Sequence, residues 1–68
     1  MMPNTYKTVE IIGSSKDGVD DAMRQAVAKA SQSLHNLEWI EVMSVRGHIQ
    51  NNQIAHFQVT MKIGFRID

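Results

Sequence analysis

Two consecutive asparagines, Asn51 and Asn52, separate two long segments in which polar and apolar residues alternate. Asparagine tolerates positive φ, and two such residues suit the centre of a tight hairpin turn. The segments on either side, residues 38–49 and 54–67, are rich in β-branched residues and have the two-residue period of a strand. The sequence therefore predicts a long β-hairpin in the second half of the chain.

The turn also predicts how the two strands pair. If Asn51 and Asn52 are the loop residues, Gln50 faces Gln53, and each later pair follows by counting. The predicted pairs are Val42 with Met61, Ile40 with Ile63, Glu41 with Lys62, Trp39 with Gly64, Met43 with Thr60, and Val45 with Gln58. This register sets apolar against apolar residues on one face and carboxylate against ammonium on the other. A bulge in the first strand of the hairpin is expected at Gly47.

The first half of the chain predicts one strand and one helix. Residues 5–12 alternate as a strand, and Gly13 interrupts the pattern. Ser14 or Ser15 is expected to cap the helix, and Asn36 to end it in the left-handed conformation. Acidic residues follow the cap, where the helix dipole favours carboxylates. The expected carboxylates are Asp17, Asp20 and Asp21. The apolar stripe of the helix consists of Val19, Ala22, Met23, Ala26, Val27, Ala30 and Leu34.

These elements predict one α+β domain over residues 1–68, with residues 1–4 as a flexible N-terminus. The order is β-α-β-β, and a right-handed crossover places the very apolar last strand in the middle, so that the sheet order is 1-3-2. Ile40 and its neighbours on one face of the middle segment should belong to a core. Nothing in the chain covers the other face, predicted to hold Trp39, Glu41, Met43 and Val45. This face is interpreted as a subunit interface that contains a ligand.

The size and the charge of the chain limit the partners and the functions that can be expected. A chain of 68 residues buries only about 60% of its unfolded surface, and without cysteine it lacks disulfides and the commonest zinc ligands. Assembly is the remaining source of stability. The seven basic and seven acidic residues balance and form no run, so neither nucleic acid nor an anionic membrane is an expected partner. With no bilayer-spanning or signal-like segment, a soluble cytoplasmic protein is expected.

From Tyr6 to Arg66 the chain resembles the dodecins, small flavin-binding proteins that assemble as hollow dodecamers. Five segments carry the likeness: Gly13–Ser15, Leu37–Val42, Val45–His48, Phe57–Val59 and Gly64–Arg66. The resemblance implies a homododecamer in which Trp39 stacks on the isoalloxazine ring of a flavin. It implies that paired flavins stack between two such tryptophans across a two-fold axis, and that Gln58 hydrogen-bonds the flavin ring.

The resemblance extends to further ligand contacts. The segments around Arg46 and Arg66 are similar to those of bacterial dodecins, which prefer phosphorylated flavin, so FMN is the expected ligand, with riboflavin as another flavin of the same kind. Arg46 and Arg66 are expected to contact it, and Glu38, beside Trp39, is counted with them. Some dodecins also bind coenzyme A, and Lys7 and Lys29 could contact that anion.

Two other functions compete with flavin storage and photoprotection. The chain could be a structural assembly module whose Trp39 only packs against another subunit, or an enzyme that uses a bound flavin. Enzymatic activity is not expected, because no nucleophile elbow, phosphate-binding glycine loop or catalytic carboxylate pair is present. A metal site is not expected either. Of the three histidines, His35, His48 and His56, the predicted register sets the two near the hairpin turn on unlike faces, and no cysteine or carboxylate cluster completes a ligand set.

Overall fold

The structure, a computed structural model, describes residues 4–67 and contains four elements. They are β1 (Thr5–Ser15), α1 (Val19–Ala30), β2 (Leu37–Gln50) and β3 (Gln53–Ile67). The three strands form one antiparallel sheet in the order β1-β3-β2. The predicted α+β fold and strand order are confirmed. The predicted flexible N-terminus lies outside the described residues except for Asn4.

The core lies between α1 and the two strands β1 and β3. Its buried side chains are Ala22, Val59, Met61 and Ile63. The helix can approach β1 closely because Gly13 has no side chain. A Cβ added at Gly13 would lie 2.5 Å from the carbonyl oxygen of Ala22 and 2.9 Å from the Cβ of Ala26. The small residues of the stripe thus set the distance between the helix and the sheet.

The start of the helix differs from the prediction. Ser14 and Ser15 do not cap α1, because they continue β1, where they pair with Gln58 and Phe57. Gly18 is the N-cap residue instead, without a side-chain hydrogen bond. Ser15 still connects β1 to the start of the helix by two hydrogen bonds. Its hydroxyl accepts one from the backbone N–H of Asp17 at 2.9 Å and donates one to the carboxylate of Asp21 at 2.5 Å. Asp20 and Asp21 occupy the first turn of the helix, as predicted.

The left-handed conformation predicted at Asn36 and the predicted hairpin turn are confirmed. Asn36 has φ of 61°, but it does not end the helix as predicted, because α1 ends at Ala30 with Ser31 as its C-cap residue. Asn51 and Asn52 have φ of 54° and 62°, and Gln50 pairs with Gln53. Positive φ at both central residues is the geometry that matches the twist of the flanking strands.

The predicted cross-strand pairs of Trp39, Ile40, Glu41 and Val42 are confirmed. The predicted register is wrong from Met43 to His48. Ser44, rather than Met43, pairs with Thr60, and Val45 pairs with Val59 rather than with Gln58. Two bulges cause the difference: Ala55 is an extra residue in β3, and Met43 is an extra residue in β2 that restores the count. A third shift leaves Glu38 unpaired. No bulge occurs at Gly47, which pairs with Phe57.

Strand β2 is exposed along its length, which corrects the expectation that one of its faces belongs to a core. On the helix side of the sheet, Ile40, Val42 and Val45 are 38%, 45% and 50% exposed, because α1 packs on β1 and β3. The bulge at Met43 moves Val45 to this side, away from Trp39. Within residues 4–67 no helix is long and apolar enough to cross a membrane.

Candidate ligand-binding face

The face of the sheet opposite α1 is called the open face. The alternation of β3 defines it: Val59, Met61 and Ile63 are buried toward the helix, so the residues between them point the other way. Cross-strand pairing then assigns the residues of the neighbouring strands. The open face carries Tyr6, Thr8, Glu10, Ile12 and Ser14 of β1; His56, Gln58, Thr60, Lys62, Gly64 and Arg66 of β3; and Trp39, Glu41, Ser44, Arg46 and His48 of β2.

Trp39 lies across Gly64 on the open face. The two residues are paired, and a Cβ built at Gly64 would overlap Cε2 and Cζ2 of the indole. The ring of Tyr6 meets the indole edge to face, with the two ring centroids 5.1 Å apart and the planes at 64°. Trp39 nevertheless remains 41% exposed. The indole is therefore held at two sides, and part of it is free to contact another molecule.

Arg46 lies directly opposite Gln58. The bulge at Met43 produces this arrangement, because unbroken alternation from Trp39 would have placed Arg46 on the helix side. Both side chains are exposed. A guanidinium donates planar hydrogen bonds to anions, and a glutamine amide both donates and accepts, so the pair suits a ligand with amide-like edges and a negative charge.

Glu38 and Arg66 form an ion pair at the end of the sheet near Trp39. The Nη1 atom of Arg66 is 3.9 Å from Oε2 of Glu38, and the two side chains are 40% and 38% exposed. An exposed pair of this kind is worth about 0.2–1 kcal/mol at most. The pair orients Arg66 beside the tryptophan, and an incoming anion could displace the carboxylate at small cost.

Lys7 and Lys29 are not near Trp39. Lys7 pairs with Phe65 on the helix side of β1, and Lys29 lies in the last turn of α1. Lys29 borders a cavity of about 380 Å³ between β1 and α1, whose lining includes Gly13 and Ser33. An anion bound by these lysines would occupy a site on the opposite side of the sheet from the tryptophan.

Sequence reasoning missed Tyr6 as a neighbour of Trp39. Tyr6 pairs with Arg66, two positions from Gly64 on the same face of β3. The pairing of β1 with β3 could not be counted from the sequence, since the helix intervenes and no short turn fixes the register. Alternation along β1 separates Tyr6 from Val9, but the sequence did not show which of the two shares a face with Trp39.

The arrangement is suited to binding a planar aromatic molecule. It offers the partly exposed ring of Trp39, polar groups of Gln58 and Arg46, and the cation of Arg66, all on a surface that no other part of residues 4–67 covers. Aromatic rings stack in offset geometry with about 0.5–1.5 kcal/mol beyond the burial of area.

Comparison with known proteins identifies the family of the chain. Residues 5–68 match the family model described as Dodecin. The dodecin of Thermus thermophilus is 37% identical over 67 residues, which are 98% of this chain and 97% of that protein.

Two solved structures have the same fold. A dodecin from Streptomyces davaonensis has a TM-score of 0.94 and 54% identity and covers 98% of each chain. The dodecin from Streptomyces coelicolor also has a TM-score of 0.94, with 51% identity over all of this chain and 97% of its own. On its sequence, its strand order and these relatives, the chain belongs to the dodecin family.

Proposed function

We propose that the chain binds a flavin, FMN above all, by stacking the isoalloxazine ring on Trp39 where copies of the chain meet. The observation that carries the proposal is the indole held flat across Gly64 on an uncovered sheet face. Gln58 is the group that would hydrogen-bond the ring, and Arg46 and Arg66 are the cations that would attract the phosphate. Family membership supports self-assembly, and a homododecamer is the proposed state.

The proposed role is storage and photoprotection rather than catalysis. Tryptophan donates an electron readily to an excited flavin, so a stacked flavin loses its fluorescence and much of its photoreactivity. A ring enclosed between indoles would also be closed to substrates. Coenzyme A is a separate proposal, because Lys7 and Lys29 lie away from the open face and would form a second site.

Fluorescence titration tests the proposal. Adding the purified protein to FMN should quench the flavin emission strongly, and Trp39→Ala should abolish most of the quenching. Trp39→Phe keeps a smaller ring and should retain weaker binding. Ile49→Ala is the matched control, because Ile49 is an exposed apolar residue of β2 near the turn, and it should bind as the parent does. Undiminished FMN emission at high protein concentration would show that the proposal is wrong.

The alternative, a structural assembly module without ligand, is favoured by the apolar residues of β2 on both faces of the sheet. In that case the purified oligomer would be colourless and would not quench FMN. Trp39→Ala would then reduce the mass of the assembly measured by light scattering. Flavin binding predicts the reverse, with the mass retained and the quenching lost.

A further inference from the structure

Two histidines form the next open-face pair along the hairpin from Arg46 and Gln58. His48 pairs with His56, and their rings stack with centroids 4.9 Å apart and an interplanar angle of 18°. The simple register placed them on unlike faces, which was wrong. The extra residue Ala55 in β3 brings His56 opposite His48.

The spacing of the two rings is compatible with one shared metal ion. Zinc–nitrogen bonds of about 2.0–2.1 Å place two imidazole nitrogens on the same ion about 3 Å apart. Modest rotations of two rings whose centroids are 4.9 Å apart can reach that separation. His48 is exposed and His56 is half-buried, so the rings have room to turn, while both backbones are fixed by the sheet.

We propose that His48 and His56 together chelate a divalent transition metal of the late first row, such as Cu²⁺, Ni²⁺ or Zn²⁺. Imidazole nitrogen suits these ions, whereas Mg²⁺ and Ca²⁺ prefer oxygen ligands. Both ligands come from rigid strands, so little conformational entropy is lost on binding.

The site is a two-histidine site with open coordination positions. Among residues 4–67 no group of three histidine, cysteine, aspartate or glutamate residues converges. Water would complete the coordination, and His56 borders a cavity of about 530 Å³, lined also by Asp17, that has space for it. Two cations oppose binding, Arg46 on the same face and Lys16, which lines the same cavity, so the expected affinity is micromolar rather than nanomolar.

Calorimetric titration of tag-free protein with NiCl₂ and ZnCl₂ tests the site. The parent should bind about one metal per chain, and His48→Asn and His56→Asn should each weaken binding at least tenfold. His35→Asn is the matched control, because His35 lies between α1 and β2 and should leave the affinity unchanged. MgCl₂ should give no saturable heat.

A second measurement needs no variant. Copper EPR of the parent should show hyperfine coupling to two imidazole nitrogens. Equal binding by the double variant His48→Asn/His56→Asn, or an EPR spectrum without two nitrogens, would overturn the proposal. Trp39→Ala should lose flavin and keep metal, so failure of one proposal is distinguishable from failure of the other.

Discussion

At the scale of single residues, the site depends on a glycine, Gly64, which has no side chain. Only glycine at position 64 lets the indole of Trp39 lie against β3, since a Cβ at that position would overlap the ring. This pair was predictable, because counting from Asn51 and Asn52 reaches Trp39 and Gly64 correctly. The position of Arg46 opposite Gln58 was not, because nothing about Met43 or Ala55 marks either as a bulge residue.

Replacing Gly64 should displace the tryptophan. Gly64→Ala forces the indole off the strand, and overpacking of this kind costs about 1–3 kcal/mol in the free energy of unfolding. Urea denaturation should show the loss of stability, and the tryptophan emission should shift as the ring becomes more hydrated. FMN quenching should fall with it.

Gly47→Ala is the matched control. A Cβ at Gly47 meets only Ile54, at an ordinary 3.6 Å, and replacing a strand glycine by alanine is neutral to slightly favourable. Equal effects of the two substitutions would contradict the role given to Gly64.

At the scale of elements, the junction of β1 and α1 is built around Asp21. The carboxylate accepts hydrogen bonds from the Ser15 hydroxyl and from the Gln25 amide, both at 2.5 Å. The Ser15 hydroxyl is the main cause that holds the pKa of Asp21 below its ordinary value, with Gln25 second. Serine was predicted here for its capping chemistry, and the structure uses that chemistry from inside the strand instead, because pairing with β3 extends β1 through Ser15.

Acid should weaken this junction. Because the pKa of Asp21 is lower in the folded state, the unfolded state binds the proton first as the pH falls. The stabilisation of the folded state by the Asp21 carboxylate is therefore complete above the ordinary aspartate pKa of about 3.9. It is lost as the pH drops through the lower pKa that Asp21 has in the folded state. Urea midpoints measured from pH 6 to pH 2 should fall more steeply for the parent than for Asp21→Asn.

Asp20→Asn provides the comparison for that experiment. It removes a carboxylate from the same first turn and leaves the contact between Ser15 and Asp21 intact. The slope of stability against pH should then stay close to that of the parent. An Asp21→Asn profile parallel to the parent's would show that this carboxylate does not couple stability to pH.

At the scale of the molecule, one chain has too little core. Only Ala22, Val59, Met61 and Ile63 are buried apolar residues among those described, and β2 leaves apolar side chains uncovered on both faces. Composition predicted this need for assembly. Composition could not predict that α1 would leave β2 uncovered, since the position of the helix over β1 and β3 depends on the close contact at Gly13.

Stability should therefore depend on protein concentration. For a chain that folds with its partners, the unfolding midpoint rises as the concentration rises. Equilibrium urea denaturation at 1 and 100 µM should give a higher midpoint at the higher concentration, and light scattering should give a mass several times 7.7 kDa. A particle of single-chain mass with a constant midpoint would contradict self-assembly.

The paired bulges at Met43 and Ala55 have a consequence for how such a protein can change. Between them every cross-strand pair is shifted by one residue, while the pairs at the hairpin tip and at the Trp39 end are those of a ladder without bulges. If Met43 and Ala55 were instead included in a regular ladder, strict alternation from Trp39 would turn Arg46 and His48 toward the helix side and bring Val45 to the side of the tryptophan. The ligand chemistry of this sheet thus depends on where its strands bulge as well as on which residues they contain.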